Sequence, residues 1–170
     1  MTAQRPLDSE EQVSTASERD VLEAFLDAYR EELTCALREL SEEQARRRLV
    51  PSLTTLIGLV KHAAAVERNW FFHTLDQLPR EQIVGNSTGD DVRWEVDATE
   101  TIADVVAEYE DVCRQSKRLA AKFELDYTVP HPRLGMVSLR YIHVHMIREL
   151  ARHCGHADIL REQVGMRLEG

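Results

Sequence analysis

Residues 145–156, HMIRELARHCGH, place three histidines and one glutamate at helical spacing. The four residues follow one another at intervals of four, four and three, as His145, Glu149, His153 and His156. In an α-helix these intervals return each side chain to nearly the same face, within an arc of roughly 80°. Imidazoles and a carboxylate on one face suit a divalent metal ion, whereas an apolar core avoids them. This stretch therefore predicts a functional site on a long helix.

Apolar residues recur at the helical period through most of the chain and predict four long helices. The predicted helices cover residues 17–40 and 52–77, a third that begins at Thr99 or Thr101, and residues 138–164. The segments that connect the later helices are too long for a simple series of up-and-down hairpins. We therefore expect an all-α protein, a four-helix bundle with long crossover loops.

Polar segments with proline and glycine lie between and before the predicted helices. Residues 79–98 and 123–136 are predicted as loops, the first with one short extended piece at 92–96, and both are expected to border a pocket. Residues 1–16 lack a sustained apolar period and predict a flexible N-terminal tail. Residues 17–170 are then expected to form a single domain, since this length buries a sufficient core.

Charge, cysteine spacing and apolar runs together limit the expected partners and cellular location of the protein. Thirty acidic residues against 21 basic ones give a formal net charge of −9, which disfavours binding to a phosphate backbone. The three cysteines form no CxxC motif, and a polar N-terminus offers no secretory signal, so a cytoplasmic location is expected. No apolar run is long enough to cross a membrane, so a membrane partner is not expected.

Spacing alone leaves open which residues of the stripe would share a metal ion. His145 and His156 lie 11 residues apart, about 16 Å along a helix axis, so one ion cannot bind both. Glu149 with His153, His153 with His156, and His145 with Glu149 are each close enough for ligation from one helix.

A second helix is expected to complete the site, because ligands from a single helix rarely do so. His62 lies on the apolar stripe of the predicted second helix. Together with Glu149 and His153 it would offer two imidazoles and a carboxylate, which suit Zn²⁺, Ni²⁺ or Fe²⁺ and leave coordination positions open. The alternative is a hydrogen-bonded core histidine at 62, with Glu149 paired to Arg152 along an exposed face.

Other reactive or aromatic side chains receive structural interpretations. His73 and His131 lie near helix ends or loops and are predicted to be surface residues, and His143 lies off the stripe. Cys154 is turned about 100° from the direction of His153 and is interpreted as a small buried hydrophobic residue. The aromatic residues 70–72 could line a pocket, fill the core or form a contact between two copies of the chain.

Two stretches resemble a known family. Residues 51–71, PSLTTLIGLVKHAAAVERNWF, and residues 146–162, MIRELARHCGHADILRE, resemble the second and fourth helices of the DinB-like superfamily. The resemblance extends over most of residues 17–165 and is closest to an actinobacterial branch related to mycothiol-dependent maleylpyruvate isomerase.

The resemblance carries expectations about the fold and the metal site. Members are four-helix bundles, and many hold a metal ion with one histidine from the second helix and an H-x-x-x-H or E-x-x-x-H pair from the fourth. Matched by residue, the ligands would be His62, Glu149 and His153. Zinc is the expected ion, with nickel or iron as alternatives. His145 and His156 would then have pocket or supporting roles.

The resemblance also carries expectations about activity. It implies a metal-dependent transferase or isomerase that uses a low-molecular-weight thiol such as mycothiol on a small electrophilic substrate. We assign a catalytic role to His156, which would orient a ligand or relay a proton. The expected partners are the small substrate, the thiol and a second copy of the chain in a homodimer. The alternative is a non-enzymatic module of the stress response that binds a metal or a small ligand.

Overall fold

The protein is mostly helical in the computed structural model, which describes residues 7–88 and 94–166. Within these residues the α-helices are α1 (Ser9–Gln12), α2 (Glu18–Cys35), α3 (Glu42–Ala45), α4 (Leu56–Glu67), α5 (Ile102–Ala120) and α6 (Leu139–Met166). A π-helical segment, Arg68–Leu75, continues α4, and a 3-10 turn covers Arg80–Gln82. Two short strands, β1 (Thr128–His131) and β2 (Gly135–Ser138), pair as an antiparallel hairpin.

The four long helices α2, α4, α5 and α6 form the bundle. Helix α6 packs against both α2 and α4, and α4 with its π-helical continuation packs against α5. Their facing sides share one apolar core, in which Leu33, Leu59 and Leu150 are fully buried. The predicted all-α four-helix bundle is therefore confirmed. Within the described residues, no helix is both long and apolar enough to cross a bilayer.

Side-chain caps determine where the helices start, and two helix boundaries differ from the predicted ones. Ser17, the first residue of the predicted helix 17–40, caps α2, and its hydroxyl accepts a hydrogen bond from the amide of Asp20 at 3.2 Å. Thr101, rather than Thr99, caps α5. The second helix begins at Leu56 and not at 52, because Thr55 is its N-cap. The first helix ends at Cys35 rather than at 40.

The predicted loop at 123–136 includes β1 and the start of β2, a hairpin that the sequence interpretation missed. Val129 lies opposite Val137, and both side chains are buried against the bundle. Gly135 has a φ of 77°, the left-handed conformation that closes a tight turn and that glycine adopts freely. Pro130 argued against a strand at the level of sequence. Proline is tolerated here because each strand of a two-stranded sheet has one unpaired edge.

Two smaller predictions fall at the limits of the described residues. The short extended piece at 92–96 lies partly outside them, and its described part, 94–96, forms no strand. Helix α1 lies within the predicted tail, and a capping box between Asp8 and Glu11 stabilises its N-terminus. The division into a tail of 16 residues and one domain stays a prediction.

Helix α4 lies at the centre of the bundle and is buried on almost every face. All of its residues except Lys61 are buried, including the carboxylate of Glu67. That carboxylate accepts two hydrogen bonds from the guanidinium of Arg30 on α2, both at 2.8 Å. Such a bidentate pair fixes the position of α2 relative to α4, because its geometry is planar and specific.

We expect Glu67→Leu to lower the free energy of unfolding by about 3–5 kcal/mol, because it leaves the buried Arg30 guanidinium without its bidentate partner. Urea denaturation followed by circular dichroism measures this loss. The matched control is Glu110→Leu, which breaks only the exposed pair with Arg114 and should change stability by less than about 1 kcal/mol. Equal effects of the two substitutions would contradict a structural role for the buried pair.

Candidate metal centre

Three side chains from two helices converge in the interior of the bundle. One ligand atom from each of His62, Glu149 and His153 lies within 4.8 Å of the others. The Nε2 atom of His153 is 3.2 Å from Oε1 of Glu149, and the Nε2 atom of His62 is 3.8 Å from the same oxygen. Helix α4 supplies His62, whereas α6 supplies the other two from adjacent turns.

The cluster is largely shielded from solvent. His62 and His153 are 8% and 6% exposed, and the side chain of Glu149 is 18% exposed. The imidazole of His153, and then that of His62, hold the pKa of the Glu149 carboxyl well below its usual range. The carboxylate is therefore ionised at neutral pH. Among the described residues no ion pair joins Glu149 to Arg152, so the predicted alternative of an exposed pair is wrong.

Trp94 covers one side of the cluster, and the sequence interpretation assigned it no role. Its indole stacks on the ring of His62 with centroids 4.1 Å apart and an angle of 7° between the planes. It also meets the ring of His153 edge-on at 5.8 Å. An apolar ring in these positions limits the access of water to both imidazoles.

Gly58 allows the backbone at Trp94 to approach α4 closely. A Cβ atom on Gly58 would lie 3.0 Å from the backbone oxygen of Trp94 and 2.8 Å from the hydroxyl of Thr55. Gly58 precedes His62 by one turn of α4, so the close approach occurs beside the cluster. An isolated glycine within an apolar helix was the one sequence signal for this contact.

The other two histidines of the stripe lie on either side of the cluster. His156 is exposed, its ring is 5.8 Å from that of His153, and it borders a cavity of about 310 Å³ with Ile159 and Leu160. His145 is half-buried and packs against Trp70 with ring centroids 4.2 Å apart. Neither belongs to the three-atom cluster.

Several structural interpretations change or are confirmed. His73 and His131, predicted at the surface, are half-buried in one cavity. Cys154 is buried, as predicted, and burial raises the pKa of its thiol to about 12, which excludes a reactive thiolate near neutral pH. Trp70 and Phe71 are 7% and 1% exposed, so they belong to the interior of the chain. The homodimer stays a prediction.

These observations define a helical bundle that carries a buried His–Glu–His cluster between its second and fourth long helices. Residues 21–165 match the model of the mycothiol S-transferase family, and the chain belongs to that family. The predicted resemblance to a mycothiol-related, DinB-like branch is thereby confirmed. A search of curated proteins found no match.

We expect Gly58→Ala to displace Trp94 from His62, because the new methyl group would overlap the Trp94 carbonyl and the Thr55 hydroxyl. The substitution should cost about 1–3 kcal/mol of stability and change the tryptophan emission. Fluorescence spectra and urea denaturation measure the two effects.

The control is Gly155→Ala on α6, where a Cβ atom would meet nothing within 4 Å among the described residues. That substitution should stabilise the helix by about 0.4–1 kcal/mol and leave the emission unchanged. A Gly58→Ala protein as stable as this control would show that the loop does not rest on α4.

Proposed function

We propose that the protein is a metal-dependent mycothiol S-transferase that acts on small electrophiles, with His62, Glu149 and His153 as the metal ligands. The convergence of the three ligand atoms is the observation that carries this proposal. Membership of the mycothiol S-transferase family supports the thiol as co-substrate. Zinc is the proposed ion, with nickel or iron as alternatives.

The donor set fits a divalent ion. Ligand atoms around tetrahedral zinc lie about 3.4 Å apart, because each metal–ligand bond is about 2.1 Å long. The distances of 3.2 and 3.8 Å from Glu149 Oε1 to the two imidazoles bracket this value, and all three ligand atoms lie within 4.8 Å of one another. One carboxylate and two neutral imidazoles leave a divalent ion with net positive charge and at least one open position, which favours an incoming thiolate.

The proposed reaction forms a bond between the mycothiol sulfur and an electrophilic carbon. A bound divalent ion would lower the pKa of the thiol and so raise the fraction of thiolate at neutral pH. With an aryl halide the sulfur–carbon bond forms, the carbon–halogen bond breaks, halide leaves, and the thiol proton passes to a base. Since Cys154 is buried and protonated, the nucleophile in this proposal is the co-substrate's sulfur.

Two side chains have supporting roles in this proposal. Trp94 holds the His62 ring by stacking and keeps water from one side of it. His156 is exposed beside His153, lines the cavity of about 310 Å³, and would accept the thiol proton. An imidazole suits this task because its ordinary pKa lies near neutral pH.

We expect His153→Ala to reduce bound zinc to below about one tenth of the wild-type occupancy, because a ligand is lost. Elemental analysis of protein purified without a histidine tag or chelator measures the occupancy. His145→Gln and His156→Gln are the controls, since each removes a histidine that the alternative ligand pairs require. Both controls should retain zinc, and loss of zinc in either would replace the proposed ligand set.

We expect the zinc-loaded protein to bind mycothiol in calorimetry and to transfer it to chlorodinitrobenzene, as measured by the absorbance of the thioether product. His156→Gln should lower kcat by about 100-fold while zinc content and mycothiol affinity stay near wild type. An unchanged kcat would remove His156 from the mechanism. Zinc binding with no heat from mycothiol would contradict the transferase and favour the predicted non-enzymatic module.

A further inference from the structure

A second cavity is lined by His145, one helical turn before Glu149 of the candidate metal centre. Its volume is about 440 Å³, and it lies between the π-helical segment, the turn of the hairpin and the first turns of α6. Three arginines and three histidines line it, namely Arg80, Arg133, Arg148, His73, His131 and His145. No acidic residue is found in its lining within the described part of the chain. We call this cavity the cationic pocket.

The arginines of the cationic pocket keep their charge available. Over residues 7–88 and 94–166, Arg80, Arg133 and Arg148 take part in no ion pair, and all three are exposed. Arg80 instead donates to neutral oxygens, the Asn69 amide at 2.8 Å and the Ser87 hydroxyl at 3.3 Å. These bonds orient its guanidinium without neutralising it.

Other arginines of the chain are used differently. Arg30, Arg68 and Arg140 each contact at least one carboxylate within 3.1 Å. The chain as a whole carries a net charge of −9, so three guanidinium groups without a carboxylate partner among the described residues give this concave surface a charge opposite to that of the whole chain. A cavity lined by charges of one sign attracts small ions of the opposite sign.

Aromatic side chains give the pocket a firm wall. The indole of Trp70 is almost fully buried, and His131 stacks against it with centroids 5.3 Å apart and planes at 12°. His145 packs on Trp70 at 4.2 Å, and Tyr141 lies beyond it at 6.1 Å. A site that combines an apolar wall with arginines suits an organic anion rather than an inorganic ion alone.

The pocket lies close to the proposed metal ligands. His145, in the pocket, precedes Glu149 on α6 by four residues, which is one turn and about 6 Å along the axis. A small molecule held by the arginines would thus lie about one helical turn from the His62, Glu149 and His153 cluster.

We propose that the cationic pocket binds the oxyanion of a small organic co-substrate, a carboxylate or a phosphate, and so selects acidic electrophiles. This inference rests on the proposed function in one respect, because the bound molecule is taken to be the electrophile of that reaction. Binding of the anion itself needs neither metal nor thiol. Guanidinium groups bind both oxyanions through paired N–H donors, which gives the pocket preference over uncharged analogues.

The two tryptophans allow a direct test, because Trp70 lies in the pocket and Trp94 lies on the metal centre. In Trp94→Phe protein freed of metal by EDTA, Trp70 is the only indole left. Benzoate, phenyl phosphate and uncharged benzamide are titrated while its emission is recorded. We expect at least one anion to bind at least about tenfold more tightly than benzamide. The tighter of the two anions identifies the oxyanion.

Charge variants test whether the change in Trp70 emission comes from binding in the cationic pocket. Arg148→Gln and, as a second variant on the hairpin turn, Arg133→Gln should each weaken binding of the anion about tenfold. Arg118→Gln makes the same change of charge at an exposed position on α5 outside the pocket and should leave the affinity unchanged. Equal affinity for benzamide, no response to either anion, or an equal effect of Arg118→Gln would overturn the proposal.

Transfer assays separate this inference from the proposed function. With zinc and mycothiol, Arg148→Gln should lower kcat/KM about tenfold for a chloronitrobenzoate and leave the matching chloronitrobenzamide unaffected. If no transfer occurs but benzoate still binds, the transferase proposal fails and the anion pocket stands. If the wild type uses the acid and the amide equally well, the pocket proposal fails and the transferase stands.

Discussion

The burial of α4 on almost every face is the constraint on which the rest of the structure depends. A helix in this position cannot leave its polar side chains to water, so each must meet a partner inside the bundle. Glu67 meets the guanidinium of Arg30 on α2, and His62 lies against the carboxylate of Glu149 on α6. These two contacts hold the outer helices to the central one at defined positions.

The same helix determines how the site is enclosed. Because Gly58 lacks a side chain, the loop before α5 can lie on α4 and bring Trp94 over His62. One face of the cluster is thereby closed by protein, while α6 borders a cavity on each side of it, at His145 and at His156. The cluster lies between two cavities of different character, one cationic and one largely apolar.

The π-helical continuation of α4 contributes to that difference. In a π-helix each turn contains an additional residue, and the hydroxyl of Thr74 accordingly donates to the carbonyl of Asn69, five residues earlier, at 2.9 Å. Asn69, Trp70, His73 and Thr74 all line the cationic pocket. A segment of unusual helical geometry therefore forms one wall of the proposed anion site.

Local periodicity was sufficient to predict the four long helices and to narrow the start of α5 to Thr99 or Thr101, because hydrogen bonds and side-chain spacing within a helix depend only on near neighbours. It was also sufficient to put Glu149 and His153 on adjacent turns of one face. Periodicity could not choose among the three pairs on α6, and the resemblance to a known family was needed to select Glu149 and His153 with His62 as their partner.

The tertiary structure alone decided that Trp94 stacks on His62 and that His131 and Arg133 join a pocket with Arg148. Pro130 and Pro132 favoured the prediction of a loop where the hairpin with His131 and Arg133 lies. These contacts join residues far apart in the chain, and their existence depends on how loops and helices pack. No short-range pattern encodes such packing, so the helices could be predicted from the sequence, but the walls of the site could not.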